Sequence, residues 1–198
     1  MRRLAIAAPV VVIAVSVADA TVEEQRARLP PAAECKSPVA GRWRALKLRE
    51  LDNQWYDYTL EVYEDPSDAS HLTGMIYVDF WTGWPDSPEV PVGADCTYRI
   101  EVKMQAAGSF RNGDIEFGAV AGYELVAVLC GHARGYYPDR FTGHFEPDRQ
   151  EFQSVNNDGG PTVNVPTVFR RIGCLEDGRK QPTDVAPPPF FPKHRSGC

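Results

Sequence analysis

The sequence predicts an all-β, antiparallel up-and-down barrel of about eight strands, with a β-sandwich as the alternative. Three observations carry this. Short segments alternate apolar and polar residues as half-buried strands do: Tyr98, Ile100, Val102 and Met104 against Arg99, Glu101 and Lys103. Such segments recur between Val39 and Cys174, separated by Pro, Gly, Asn and Asp turn signals. No convincing helical period follows Val39, and no internal repeat suggests a propeller or solenoid.

The chain opens with Arg2 and Arg3, an apolar stretch from Leu4 to Val17, and then Ala18-Asp19-Ala20. A basic start, an apolar run and small residues flanking a cleavage site read as a secretory signal peptide over residues 1–20. A membrane anchor needs about 20 apolar residues; this run is shorter and contains Pro9. Thr21 follows the site rather than Cys, which argues against a bacterial lipid anchor. No later stretch is apolar enough to span a bilayer, so the expectation is a secreted or periplasmic chain with no membrane insertion after cleavage.

Residues 21–38 are charged, then Pro/Ala-rich, and read as a linker or short helix. Residues 39–174 have the size of one domain around one core. Within it Tyr58, Leu60 and Val62 share a face, as do Leu72, Gly74, Ile76, Val78 and Phe80, and as do Phe141, Gly143 and Phe145. The run from Tyr123 to Cys130 is apolar enough to be a well-buried strand. Glu146 to Glu151 makes a hairpin turn, with Pro147 at its first corner. Two further strands, from Glu151 to Val155 and from Val165 to Ile172, complete the set. Residues 175–198 form a polar, Pro-rich tail expected to be disordered.

The formal net charge is −6, and losing Arg2, Arg3 and Asp19 with the signal leaves about −7. An acidic chain does not favour nucleic acid or an anionic membrane as partner. Five cysteines survive cleavage, and in an exported protein most should be paired. Cys35 and Cys174 bracket the domain, and chain ends often lie close together, so Cys35–Cys174 is the favoured bridge. Cys96–Cys130 is then the second bridge, and Cys198 is left over in the tail.

Gly41-Arg42-Trp43 opens the first strand of the domain, and Arg170-Arg171 sits near the end of the last. In an up-and-down barrel these strands are neighbours. A guanidinium laid on the indole face would seal one barrel end and gain about 0.5–2 kcal/mol. This arrangement resembles the lipocalin or wider calycin pattern, and the later Phe141 to Asp148 segment is similar to the strand-turn pattern of bacterial lipocalin-like domains. The resemblance implies a lipocalin-like barrel over residues 39–174, with Gly41, Trp43 and one of Arg170 or Arg171 as its specific residues.

The segment from Phe80 to Glu89 reads as a long loop holding Trp81 and Trp84 beside Asp79, Asp86 and Glu89. An exposed Trp near carboxylates can hold sugars or amphipathic ligands. Trp81, Trp84, Trp55 and Tyr77 are therefore the candidate ligand-binding residues. The plainer reading is a loop pinned over a barrel mouth by its aromatics. No catalytic residue is assigned: Ser109 lacks a nucleophile-elbow context, no phosphate-binding glycine loop occurs, and the domain cysteines are expected to be bonded. Cys130-Gly131-His132 lacks the second ligand pair that zinc requires, so neither metal nor cofactor is expected. The polar knot from Asn156 to Gly160 fails as an EF-hand loop, because Val165 falls where a bidentate Glu is needed; it reads as the turn between the last two strands.

The leading functional expectation is a barrel that binds a small apolar or amphipathic molecule in its interior. An enzyme on the same barrel (isomerase, cyclase or hydrolase) with its site at the mouth is one alternative. A glycan- or protein-binding sandwich is the other. Interior volume separates them, since a filled interior would sink the carrier reading.

Overall fold

The computed structural model describes residues 17–90, 97–132, 135–156 and 166–175. Helix α1 (Val17–Arg28) precedes nine strands: β1 (Gly41–Arg49), β2 (Gln54–Asp65), β3 (Asp68–Thr82), β4 (Arg99–Arg111), β5 (Asp114–Ala119), β6 (Glu124–Leu129), β7 (Arg140–Glu146), β8 (Glu151–Asn156) and β9 (Pro166–Gly173). All pairings are antiparallel, and β9 returns to β1. Eight strands therefore close into a barrel, with β6 as an extra strand, and the sandwich alternative falls. β6 continues along β4 where β5 stops: β5 pairs with Ala106–Arg111, and β6 with Arg99–Lys103.

The alternation read from sequence sets which side chains fill the barrel. Trp43, Tyr58, Leu60, Ile76, Phe117 and Phe141 all point inward and are almost wholly buried. Their rings interlock with those of Phe152 and Phe169, which stack at 4.9 Å between centroids, while Phe141 meets Phe169 edge-on at 4.7 Å. Such offset and edge-on contacts are the preferred aromatic geometries and add to the burial term.

The two ends of the barrel differ in their connections. At one end the turns are short: residues 66–67, 112–113 and 147–150. The Asn112-Gly113 turn has positive φ at both positions, 55° and 87°, the conformation of a two-residue hairpin. At the other end β3 and β4 are joined by residues 83–98, and β6 and β7 by residues 130–139.

Ahead of the barrel, α1 docks on the outer wall. The β1–β9 ladder covers only Arg42, Trp43 and Arg44. Beyond it, the Gln25 side chain supplies the missing strand: its amide donates to the Pro166 carbonyl at 3.0 Å and accepts from the Val168 N–H at 2.9 Å. Satisfying both backbone groups avoids the cost of burying them unpaired. Val22 and Leu29 complete a second apolar cluster with Leu46, Trp55, Trp81 and Val168 on the outer face.

Cys35 and Cys174 form a disulfide. Cys130 is disulfide-bonded as well. Its expected partner Cys96 lies outside the described residues, as do Cys198, most of the signal segment, the Asn157–Gly160 part of the knot, and residues 176–198. Among the described residues no helix is long and apolar enough to cross a membrane.

Two expectations need correction. The Tyr123 to Cys130 run is not well buried: Leu125, Val126 and Leu129 are 41%, 48% and 43% exposed. Among the described strands β6 pairs with β4 alone, so it forms a flared lip rather than a wall with neighbours on both edges. Phe80, Trp81 and Thr82 belong to β3 rather than to a loop, because the ladder with β2 runs on through Trp55–Trp81 to Gln54–Thr82.

Candidate functional site

At the short-turn end, Trp43 is wholly buried and its indole N–H donates to the Val39 carbonyl at 3.0 Å. The Arg171 guanidinium lies 5.4 Å from the Trp43 ring centre and 5.6 Å from that of Phe145. It donates to the carbonyls of Ser37 and Ala40 at 2.8 and 3.1 Å, and to the Gln150 side chain at 2.8 Å. Gly41 is needed beneath it, since a Cβ there would come within 2.6 Å of the Arg171 Cδ. Arg170 points outward and donates to Glu151 and to the Leu29 and Pro30 carbonyls. At this end the Arg171 guanidinium covers Trp43 and Phe145 and is bonded to the Ser37 and Ala40 carbonyls and the Gln150 side chain.

The four aromatic candidates are not gathered into one site. Trp55 and Trp81 are buried on the outer face beneath α1. The Trp55 indole donates to the Trp84 carbonyl at 2.9 Å, and Arg28 covers its face at 5.0 Å. Both rings thus pin the helix and the segment after β3 to the wall. Tyr77 is half-buried farther down that wall, where burial and the nearby Glu61 carboxylate push its pKa up to about 12. Trp84 alone presents its ring to solvent, at 73% exposure.

Toward the long-loop end the interior turns polar. Lys47, on the same face of β1 as Trp43 and Ala45, is 2% exposed inside the barrel. Its ammonium donates to the Thr167 hydroxyl at 2.9 Å and lies 5.8 Å from the Tyr58 ring centre. Asp139, two residues before inward-facing Phe141, is 1% exposed. It accepts a hydrogen bond from the Tyr136 hydroxyl at 2.6 Å. Tyr136 comes from the β6–β7 connection; its outer edge is partly exposed while its hydroxyl is buried. Burial first, and the Asp139 charge second, hold its pKa well above the usual phenol value. At the rim, Arg49 lies over Tyr56 at 5.2 Å and bonds Gln54, which also accepts from the Tyr56 hydroxyl.

Sequence reasoning missed Lys47 and Asp139. The signal for Lys47 was present, because it shares the parity of Trp43. Asp139 gave none, since its position depends on how the β6–β7 connection folds inward.

The exposed apolar residues mark the same half of the molecule. Leu51 and Trp84 follow β1 and β3, and the remaining large ones are confined to Val120–Tyr137, on or beside β6. Nearby on the outer wall, Arg99 holds Asp79 through two hydrogen bonds of 2.8 and 2.9 Å. Even so, burial pushes the Asp79 pKa up to about 6, with Arg99 acting in the opposite direction.

The barrel interior is packed with side chains from Phe145 and Trp43 up to Phe80, Tyr98 and Tyr136. Two described grooves, of about 510 and 450 Å³, both lie outside it. One is lined by ion-paired Arg26, Glu151 and Arg170, the other by the β4–β5 turn and His144. Among the described residues, no group of three or more His, Cys, Asp or Glu side chains is placed to hold a metal ion. No protein-family model, curated protein or solved structure matches the chain.

Proposed function

We propose that this protein, an exported barrel, binds a small amphipathic molecule at its long-loop mouth. The observation that carries the reading is the pair of ionisable groups, Lys47 and Asp139, buried beneath an apolar rim in a largely apolar barrel. Each buried charge costs several kcal/mol to desolvate, and well-packed apolar residues of similar volume are often as stable or more so. Buried charge is not confined to the mouth, since Arg171 is buried at the other end among its own acceptors, but Lys47 and Asp139 lie where they suit the polar part of a ligand whose apolar part meets the rim. Among the described residues the interior below the rim is occupied by side chains in mutual contact, so the ligand would sit at the mouth itself. Native mass spectrometry of protein purified from its host tests this. A co-purifying small molecule is expected with the wild type and lost in Lys47→Met; its repeated absence from the wild type would overturn the reading.

A second reading follows from β6, which is paired on one edge only among the described strands and carries exposed Leu125, Val126 and Leu129. Such an edge is open to strand addition. A second copy fits it: antiparallel pairing would set Glu124, already held by Lys103 at 3.0 Å, against the partner's apolar end rather than against another charge. This reading predicts a concentration-dependent dimer in sedimentation, abolished by Val126→Lys. A strictly monomeric wild type removes it.

A further inference from the structure

We infer that the long-loop rim docks on a zwitterionic phospholipid surface, with Leu51, Trp84 and Tyr137 as its apolar contacts. This goes beyond the ligand reading above and does not depend on it. Three connections at this end each leave one large apolar side chain in solvent. Leu51 is 89% exposed between β1 and β2, Trp84 is 73% exposed after β3, and Tyr137 is 58% exposed between β6 and β7. Among the described residues, the short turns at the opposite end expose no large apolar side chain. An apolar surface gathered at one end of a molecule marks a face that meets something else.

Leu51 and Trp84 stand on fixed backbone. Arg49 bonds the Asp52 carboxylate at 2.7 Å, which closes the short turn carrying Leu51. The Gly83 N–H donates to the Asn53 carbonyl at 3.0 Å, so the two connections are tied to each other. The Trp84 carbonyl accepts from the Trp55 indole at 2.9 Å and from the Ser87 N–H at 3.1 Å. Tyr137 follows Tyr136, whose ring stacks on Phe80 at 5.8 Å. Backbone ordered in advance lowers the entropy lost on docking.

The side chains and the charge around them select the partner. Trp and Tyr rings favour the boundary between water and lipid, and Leu favours the chains beneath it. Residues 50–53 and 83–90 contain Glu50, Asp52, Asp86 and Glu89 and no Lys or Arg. Asp52 is paired with Arg49, while Glu50, Asp86 and Glu89 are exposed. On a chain of net charge −6 these carboxylates are repelled by an anionic membrane. A zwitterionic phospholipid presents an ammonium cation outermost. That cation complements the carboxylates and suits the exposed face of the Trp84 ring. The charge that rejects an anionic surface therefore fits this one.

The probe is a vesicle of phosphatidylcholine alone, compared with vesicles in which phosphatidylserine replaces part of it. Protein purified from its host is sedimented with the vesicles, and tryptophan emission is read on mixing. Trp43, Trp55 and Trp81 are already buried, so a blue shift reports Trp84. Wild type should bind phosphatidylcholine with a blue shift, and about threefold more weakly where phosphatidylserine is present. Trp84→Ala should lose at least about tenfold in partition, and Leu51→Ser about threefold. Both side chains are exposed, so both variants should keep the wild-type urea midpoint, which separates lost docking from lost folding. No binding of wild type to phosphatidylcholine overturns the inference. So does binding that is unchanged in Trp84→Ala and Leu51→Ser, or that strengthens with phosphatidylserine. Vesicle binding by protein that carries no co-purifying molecule leaves this inference standing while the ligand reading falls. A co-purifying molecule without vesicle binding does the reverse.

Discussion

At the short-turn end, Trp43, Phe145 and Arg171 are locked by matched carbonyls, and the Cys35–Cys174 bridge ties the flanking segments together. At the long-loop end, Lys47 and Asp139 are buried in the interior, Tyr136 is borrowed from a connection to cap it, and the rim carries exposed apolar residues. The first end is tied by matched hydrogen bonds and a disulfide, and the second buries Lys47 and Asp139 below an apolar rim. The difference teaches where to cut: damage to the Trp43–Arg171 cluster should be read in folding, and damage to Lys47 and the rim, as distinct from the wall beneath α1, in binding.

The largest expected loss belongs to the first end. The Cys35–Cys174 bridge spans 139 residues, and closing so long a loop is worth about 5 kcal/mol in the chain-entropy model. Cys35→Ser with Cys174→Ser should lower the urea midpoint accordingly, whereas general reduction would also open the Cys130 bridge and blur the result. A loss below about 1 kcal/mol would mean that the flanks are held by the seal alone. Next comes Trp43→Ala, at about 3–5 kcal/mol for a wholly buried aromatic. Tyr136→Ala, with its ring partly exposed, should cost less than half as much in the same denaturation series. Equal losses would break the distinction between the two ends.

The contrast was unevenly legible in the sequence. Period-two alternation located the strands, because a barrel wall has an apolar inside, and the parity of Trp43 also places Lys47 inside. The outer face was harder. Trp55 and Trp81 sit at outward positions, and only the docking of α1 through Gln25, Val22 and Leu29 shows that this face is covered. β6 was misread because composition cannot tell a strand with two neighbours from a lip with one. Asp139 and Tyr136 meet through the fold of a connection, which carries no periodic signal.

A smaller effect should separate the two halves by pH. Asp79, on the outer wall near the long-loop rim, has its pKa raised from the ordinary 3.8 to about 6, chiefly by burial. Between those values the folded chain holds this proton more tightly than the unfolded chain does. Stability contributed by the group is therefore present below pH 3.8 and lost as pH rises through about 6, at most about 3 kcal/mol in all. Asp79→Asn should flatten that part of the fall when thermal midpoints are compared at pH 4 and pH 7. An unchanged slope would place the pH dependence elsewhere in the molecule.

The smallest expected effect sharpens the comparison most, because it sets two tryptophans of the long-loop half against each other. Trp55 is wholly buried, and its indole N–H is bonded to the backbone carbonyl of Trp84. Trp84 contributes that carbonyl whatever its side chain, and its own ring is 73% exposed. Trp55→Ala should therefore cost about 3–5 kcal/mol, through the cavity left under α1 and the donor lost to the segment after β3. Trp84→Ala should stay within about 0.5 kcal/mol of wild type by the same urea denaturation. A measurable loss at Trp84 would mean that its ring packs on something in solution, and the rim would then belong to the fold rather than to what the barrel meets.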